Sequence, residues 1–170
     1  MEALMVHVGA ASREVMSVLG KTHTEATYGR ALKVELDRRI NHSTTTIVSE
    51  VVVPYMYSEV PISYGRADFI LIDTNRKALL VVELKVLTYN IRPEHIHQAR
   101  HYMQSMINFK TYNGYEIGGV IINFNQSIDL RGFAPRIDEK YIHAHSPEEY
   151  ESVHSMLQAL ENISPPRVCT

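Results

Sequence analysis

The sequence predicts an α/β domain in which a central mixed sheet is flanked by helices. Apolar residues before residue 41 recur at helical spacing, in two segments divided at Gly20. From Thr46 onward the pattern changes to β-branched and aliphatic residues, in three extended segments joined by short links. A helical segment that begins at Pro93 then precedes another apolar strand, and such a crossover places this strand parallel to an earlier one. The predicted order is therefore α-β-β-β-α-β after one additional N-terminal helix, with further elements at the C-terminus.

The predicted helices are marked by residues that favour helix ends. They cover residues 2–19, residues 22–40, residues 93 to the stop at 112–114, and residues 146–160. Gly20 ends the first helix. Thr22, followed three residues later by Glu25, fits a capping box for the second. Pro93 opens the third helix, and Ser146 is the expected N-cap of the last.

The predicted strands are short apolar runs bounded by turn residues. They cover residues 46–53, 62–72, 79–87 and 117–124, and residues 128–143 are a candidate edge strand. Pro54 is expected to end the first strand, because proline cannot donate to the hydrogen-bond ladder. The turn over residues 73–77 links the second and third strands, so the first three strands are expected to form an antiparallel meander.

The length of the chain predicts a single domain, and its charge shows that the protein is not strongly basic. The chain of 170 residues is expected to form a single domain over residues 1–164, with a frayed tail over residues 165–170. Lys and Arg total 17 against 19 Asp and Glu, a net charge of -2, which excludes a basic nucleic-acid coat. A polyanion would therefore be bound through a local patch or through metal ions.

The sequence also predicts an intracellular protein without a membrane partner. Its single cysteine, Cys169, allows no disulfide within the chain, which suits a reducing interior. The N-terminus has an early Glu2 and no basic segment, so it does not resemble a signal peptide. No apolar run is long enough to cross a bilayer.

The strand at residues 79–87 carries two charges in an otherwise apolar run. Glu83 and Lys85 are two residues apart, so they project from the same face of a strand. Because an unpaired buried charge is unfavourable, they form either a buried ion pair or half of a metal-dependent hydrolytic site. Asp68 comes close to Glu83 if the two strands pair across the 73–77 turn. Two carboxylates beside one ammonium suit Mg²⁺, whose other positions are held by water and phosphate.

Several segments together resemble the PD-(D/E)XK nuclease superfamily, whose core has the order α-β-β-β-α-β. Its signature is an Asp on the second strand and a (D/E)-x-K on the third, here Asp68 and Glu83-Leu84-Lys85. The sequence is similar in particular to the family named for its GxxExxxY pattern. The matching segments are Leu19-Gly20 with Glu25–Tyr28, Arg66–Asp68, Val82–Lys85, His95–Tyr102 and Gly118–Phe124. One departure is Thr22, which stands where that family has a second glycine.

The resemblance implies a restriction-endonuclease-like fold and a role for the matched acids. Asp68 and Glu83 would hold Mg²⁺, for which Mn²⁺ would substitute, and the carbonyl of Leu84 would be a further ligand. Lys85 would be the catalytic lysine. Glu25 would complete the metal shell or hold metal-bound water, although it is equally compatible with a capping-box acid.

The resemblance also assigns residues on and near the third helix. Gln98, a further catalytic candidate, lies one helical turn before Tyr102, and both could reach the catalytic strand or the phosphate backbone. The candidates for contacts to nucleic acid are Arg66, Arg100, Tyr102 and Lys110.

Two functions remain open on these observations. The first is a metal-dependent nuclease that hydrolyses phosphodiester bonds through a metal-activated water, with DNA favoured over RNA. By analogy with enzymes of this fold, it would act as a homodimer. The alternative is a catalytically idle module of the same fold that acts in nucleic-acid binding or protein assembly, which the negative net charge supports.

Overall fold

The computed structural model describes residues 1–58, 60–127 and 136–162. The helices are α1 (Glu2–Leu19), α2 (Glu25–Arg39), α3 (Pro93–Asn108) and α4 (Val153–Asn162), with a short 3₁₀ helix over Lys110–Tyr112. The strands are β1 (Thr45–Tyr57), β2 (Val60–Asp73), β3 (Ala78–Lys85), β4 (Glu116–Asn125), β5 (Arg136–His143) and β6 (Glu149–Tyr150). They confirm the predicted α/β class with a central mixed sheet. Within the described ranges, no helix combines the length and apolar character needed to cross a membrane.

The strands form one six-stranded sheet in chain order, from β1 to β6. β1, β2 and β3 form the predicted antiparallel meander, and β4 pairs parallel to β3 after the crossover through α3. The candidate strand at residues 128–143 is confirmed for its described part, β5, which pairs with β4 and with the two residues of β6. Residues 128–135 and the predicted tail at 165–170 lie outside the described residues.

β3 lies inside the sheet and is buried on both faces. Leu80 and Val82 belong to the core formed with α1 and α2, whereas Leu79 and Val81 belong to the core formed with α3. Since side chains alternate along a strand, Glu83 projects toward the α3 side. The fold therefore places this carboxylate in the interior, beneath the crossover helix.

The predicted capping box at Thr22 is wrong. α2 begins at Glu25 and its N-cap is Thr24, whose side-chain oxygen accepts a hydrogen bond from the backbone N–H of Thr27 at 3.3 Å. Thr22 has a φ of 73°, in the left-handed region that glycine adopts without strain. The position at which the resembled family has glycine thus keeps its glycine-like conformation here.

The prediction that Pro54 ends the first strand is also wrong. β1 continues through Pro54 to Tyr57, and Pro54 pairs with Tyr64 of β2. β1 is an edge strand, where an absent N–H on the outer side removes no ladder bond. The carbonyl of Pro54 accepts a hydrogen bond from the hydroxyl of Ser105 on α3 at 2.8 Å.

The last helix begins later than predicted. Tyr150 is buried and pairs with Tyr141, so the segment after Ser146 forms β6 instead of a helical turn. The N-cap role falls to Ser152, whose hydroxyl accepts a hydrogen bond from the backbone N–H of Ser155 at 3.1 Å. Burial of an aromatic side chain against the sheet outweighs the local helix signal here.

Candidate hydrolytic site

Asp68 of β2 lies across from Glu83 of β3. The two strands pair as far as Val82, so the next residue of β3 faces Asp68, and the expected proximity is confirmed. Oδ2 of Asp68 accepts a hydrogen bond from the backbone N–H of Leu84 at 2.7 Å. Burial raises the pKa of Asp68, while this hydrogen bond and the charge of Lys85 act in the opposite direction.

Glu83 is the most deeply buried charged group of this cluster. It is 1% exposed, and its Oε2 accepts a hydrogen bond from Nζ of Lys85 at 3.3 Å. Its other carboxylate oxygen, Oε1, is buried without a hydrogen-bond partner among the described residues. Burial, followed by the charge of Asp68, raises the pKa of Glu83 to about 7 against the lowering effect of Lys85. The backbone N–H of Asp68 also lies near this carboxylate and opposes the rise in its pKa. The ion pair expected from the sequence is present, but no described residue partners Oε1 within hydrogen-bond geometry.

A cleft of about 430 Å³ lies between α2 and the strands β1 and β2, and Asp68 is the residue of this cluster that lines it. Its charged lining residues are Glu25, Arg30, Lys33, Glu50, Arg66 and Asp68. Burial raises the pKa of Glu25, the charge of Lys85 opposes the rise, and the charges of Asp68 and Glu50 add to it. Since Thr24 is the N-cap of α2, Glu25 is not the N3 acid of a capping box. Its side chain lines the cleft instead.

The oxygen donors of the cluster fit a hard divalent cation. Mg²⁺ binds through one or two carboxylates and keeps the rest of its positions for water and phosphate. Asp68 and Glu83 supply the carboxylates, and the unpartnered Oε1 supplies an oxygen that a cation would satisfy. Within residues 1–58, 60–127 and 136–162, no three His, Cys, Asp or Glu side chains are grouped as a ready metal site. The structure therefore does not gather Glu25 with the two strand acids into a three-ligand group.

Gln98 and Tyr102 connect α3 to β2. Nε2 of Gln98 donates to the hydroxyl of Tyr102 at 3.0 Å, and this hydroxyl also accepts the backbone N–H of Arg66 at 3.2 Å. The ring of Tyr102 is 1% exposed, which corrects the expectation that it contacts nucleic acid. The two side chains hold the segment that leads into Asp68.

Gly65 makes room for this connection. A Cβ atom at Gly65 would lie 2.5 Å from the hydroxyl of Tyr102 and 2.6 Å from the ring of Tyr55. Both rings pack between the hairpin and α3, so neither can withdraw without disturbing the core. The glycine of the segment before Asp68 is thus required by close packing of two aromatic rings.

We expect Gly65→Ala to lower the free energy of unfolding by about 1–3 kcal/mol, the usual effect of overpacking. Urea denaturation followed by circular dichroism measures it. The matched control is Gly29→Ala in α2, where a Cβ would lie 3.4 Å from Leu84. Alanine also favours helix there, so equal losses in the two variants would contradict the packing argument.

Two of the residues that were predicted to contact nucleic acid, Arg100 and Lys110, do not lie with the acidic cluster. The guanidinium of Arg100 donates to the carbonyls of Ser146, Pro147 and Glu148 at 2.8, 2.7 and 2.8 Å. It fixes the loop before β6, which corrects the expected phosphate contact. Lys110 lies beyond the C-terminal end of α3, and about 15 Å of helix separates Gln98 from that end. Arg66, in contrast, does line the cleft.

Glu50 is a site residue that sequence reasoning missed. It lies across from Asp68 on β1 and adopts a φ of 56°, a left-handed conformation that is rare outside glycine. Its Oε2 is 2.7 Å from Nε of Arg66, and its charge raises the pKa of both Asp68 and Glu25. The one available signal was an acid within a run of β-branched residues.

His95 is a second residue whose placement was not predicted. Burial, followed by the positive charge of Lys85, lowers the pKa of His95. Its Nδ1 accepts the backbone N–H of Arg92 at 3.1 Å, so the neutral ring carries its proton on Nε2. His95 opens the segment matched to the family's HxxQxxxY pattern, and that position was the signal available in the sequence.

Asn123 of β4 holds the chain that leaves β3. Its side chain is fully buried. Oδ1 accepts the backbone N–H of Leu87 at 2.9 Å, and Nδ2 donates to the carbonyl of Tyr89 at 2.9 Å and to Asp138 at 3.1 Å. These bonds fix the direction of the backbone directly after Lys85.

We expect Asn123→Leu to lower the free energy of unfolding by about 2–3 kcal/mol, because it leaves buried backbone groups without partners. Guanidinium denaturation at neutral pH is the measurement. Asn108→Leu, at an exposed position of α3, is the control and should change stability little. A loss of the same size in the control would show that these hydrogen bonds are not responsible.

The sheet order and the cluster of Asp68, Glu83 and Lys85 define a restriction-endonuclease-like domain. A family model described as the PD-(D/E)XK nuclease superfamily matches residues 2–133. The chain belongs to the PD-(D/E)XK nuclease superfamily, whose members are hydrolases of nucleic acid and typically use divalent metals. No curated protein and no solved structure matches the chain.

Proposed function

We propose that this protein is a Mg²⁺-dependent nuclease that hydrolyses phosphodiester bonds, with DNA as its expected substrate. The observation that carries the proposal is the buried Oε1 of Glu83, which has no partner among the described residues. It lies in a cluster with Asp68 and Lys85, which supplies two carboxylates and one ammonium. An unsatisfied carboxylate oxygen is unfavourable in a core unless a ligand completes it.

The proposed roles follow from the donor set. Asp68, Glu83 and the carbonyl of Leu84 would hold the cation. A bound divalent cation lowers the pKa of a water molecule and neutralises charge on the phosphoryl group. Lys85 would donate hydrogen bonds to the attacking water or to the phosphoryl oxygens, where negative charge develops. The water oxygen would form a bond to phosphorus and lose a proton, and the bond from phosphorus to the leaving oxygen would break. The leaving oxygen would take up a proton, so the products are a phosphate monoester and a hydroxyl group.

The surrounding residues would serve the substrate. Glu25 faces the cleft, and its raised pKa supports a role in holding water or a proton there. Gln98 acts through the hydroxyl of Tyr102 and is therefore a positioning residue for β2. The glycine-like φ at Thr22 and the Gln98–Tyr102 contact support the narrower proposal that the chain is a member of the GxxExxxY family.

The test is a cleavage panel of single- and double-stranded DNA and RNA with Mg²⁺ or Mn²⁺. We expect cleavage by the wild type, inhibition by EDTA and loss of activity in Asp68→Ala. Glu14→Ala, which removes an exposed carboxylate of α1, is the control and should retain activity. If the wild type cleaves none of the substrates faster than Asp68→Ala does, the catalytic proposal is contradicted.

The idle-module alternative is distinguished by metal binding. If the site holds a cation, Mn²⁺ raises the melting temperature of the wild type in proportion to its affinity for the folded state. The same titration should leave Asp68→Ala unchanged. A wild type that neither binds Mn²⁺ nor cleaves would favour a module that has kept the fold without the chemistry.

A further inference from the structure

The hairpin of β1 and β2 projects beyond the rest of the sheet. β3 pairs with β2 only over residues 69–73, so residues 60–67 have β1 as their neighbouring strand. One face of this two-stranded ribbon packs on α3. The ring of Tyr55 stacks on His101 with 4.1 Å between centroids, and Gly65 lies against Tyr102. These contacts support a ribbon that would be marginally stable alone in water.

The opposite face of the ribbon exposes apolar side chains. Val52 pairs with Arg66 and Pro54 pairs with Tyr64, so these four side chains share one face. Val52 is 63% exposed, Tyr64 is 64% exposed, and the neighbouring Ile62 is 67% exposed. We call these five residues the ribbon face. Contiguous exposed apolar groups of this kind mark interaction surfaces.

The ribbon face leads into the hydrolytic site. Arg66 lies on the ribbon face and also lines the cleft that contains Asp68. At a rise of about 3.3 Å per residue, Tyr64 lies about 13 Å along β2 from Asp68. This separation corresponds to about four nucleotides at the 3.4 Å spacing of stacked bases. A strand bound at the site therefore has the reach to lie across Tyr64.

We propose that the ribbon face binds the unpaired bases of a single-stranded nucleic acid and delivers its backbone to the cleft. The inference rests on the proposed nuclease function. An exposed tyrosine ring stacks on any base, because every base has a π-face. Arg30 supplies a cation where the backbone enters the cleft. Arg66 and Lys33 also line the cleft. They would exchange their carboxylate partners, Glu50 at 2.7 Å and Asp37 at 2.6 Å, for phosphate.

The composition of the ribbon face favours a single strand over a duplex. A duplex presents its phosphates outward and keeps its base faces stacked inside. Val52, Ile62 and Tyr64 offer no charge to such phosphates. The net charge of -2 also gives the densely charged duplex no overall electrostatic attraction. Unpaired bases, in contrast, can pack against the apolar and aromatic side chains of the ribbon face, beside the basic side chains that line the cleft.

The test measures binding separately from cleavage. A labelled single strand of about 12 nucleotides, either deoxythymidylate or uridylate, is titrated in EDTA and followed by fluorescence anisotropy. A duplex of the same length is titrated in parallel. We expect tighter binding of the single strand, weakened about 5- to 150-fold by Tyr64→Ala, as the loss of one stacked base predicts. Tyr64→Phe keeps the ring and should keep the affinity.

The control is Val6→Ala, which trims an exposed apolar side chain of α1 away from the ribbon face and should leave affinity unchanged. Equal affinity of Tyr64→Ala and wild type, or tighter binding of the duplex, overturns the inference. So does a concentration-dependent dimer in sedimentation that Tyr64→Ala disperses, because the ribbon face then contacts a second copy. Retained binding with no cleavage on any substrate counts against the proposed nuclease function and leaves this inference standing.

Discussion

Replacement of Lys85 by alanine is expected to slow phosphodiester cleavage by about 10²–10³-fold, the usual loss when one group that stabilises developing charge is removed. Lys85 is 16% exposed and points its ammonium at Glu83 across 3.3 Å. The loss should fall on kcat, because the ammonium acts on charge that develops during the reaction. Single-turnover cleavage at saturating metal measures it.

The fold should survive the Lys85→Ala substitution, which keeps the kinetic test interpretable. Loss of the ammonium raises the pKa of Glu83 further, so without metal the buried carboxyl takes up a proton and carries no unpaired charge. Saturating metal would displace that proton, so the assay still compares proteins with a filled site. Lys140→Ala is the control, because Lys140 lies on β5 and forms its ion pair with Glu151. A cleavage rate for Lys85→Ala within twofold of that of Lys140→Ala would contradict the proposed role, taking a factor of about two as the smallest resolvable change.

Without metal, the protein is expected to lose about 3 kcal/mol of stability as the pH rises from 4.5 to 7, through Glu83 alone. The pKa of this carboxyl is about 7 when folded and 4.5 in the reference state. Between these values the unfolded chain has released the proton that the folded protein still holds. Rising pH therefore favours unfolding over this interval, and the effect is complete above the folded pKa.

The substitution Glu83→Gln should remove this pH dependence, because an amide does not titrate. Urea denaturation in EDTA at acidic and at mildly alkaline pH gives the change in unfolding free energy for each protein. We expect the wild type to lose about 3 kcal/mol more than Glu83→Gln over this range. Glu14→Gln is the control at an exposed carboxylate. The same pH dependence in wild type and Glu83→Gln would show that Glu83 titrates normally.

The parts of the site that depend on local sequence could be predicted. A short turn joins β2 to β3, so the register that brings Asp68 opposite Glu83 follows from adjacent strands and the apolar pattern. The burial of β3 follows from its aliphatic composition. The parallel pairing with β4 follows from the crossover helix.

The parts that depend on distant contacts could not be predicted. Whether Pro54 ends a strand depends on whether that strand lies at the sheet edge, which the sequence does not state. Its position on α3 makes Arg100 a plausible phosphate ligand, but its guanidinium donates to the loop before β6. Glu50 enters the site because its backbone turns left-handed opposite Asp68, and no local pattern favours that conformation for glutamate.

The buried position of Tyr102 illustrates the same limit. A tyrosine one turn after Gln98 could be placed on the correct helical face from spacing alone. Whether it lies at the surface or under the hairpin depends on Gly65, which allows the strand to approach the ring. Close packing between a glycine and an aromatic residue 37 positions later is a tertiary property.

The most direct test of the central claim is the dependence of cleavage on metal in wild type and Asp68→Ala side by side. Single-turnover cleavage of a labelled single-stranded oligonucleotide is measured while Mg²⁺ is raised from zero. The proposed site predicts a wild-type rate that rises and saturates with Mg²⁺, is absent in EDTA, and is lost in Asp68→Ala. Cleavage that is equally fast in EDTA, or equally fast in both proteins, would contradict a metal-dependent site built on Asp68 and Glu83.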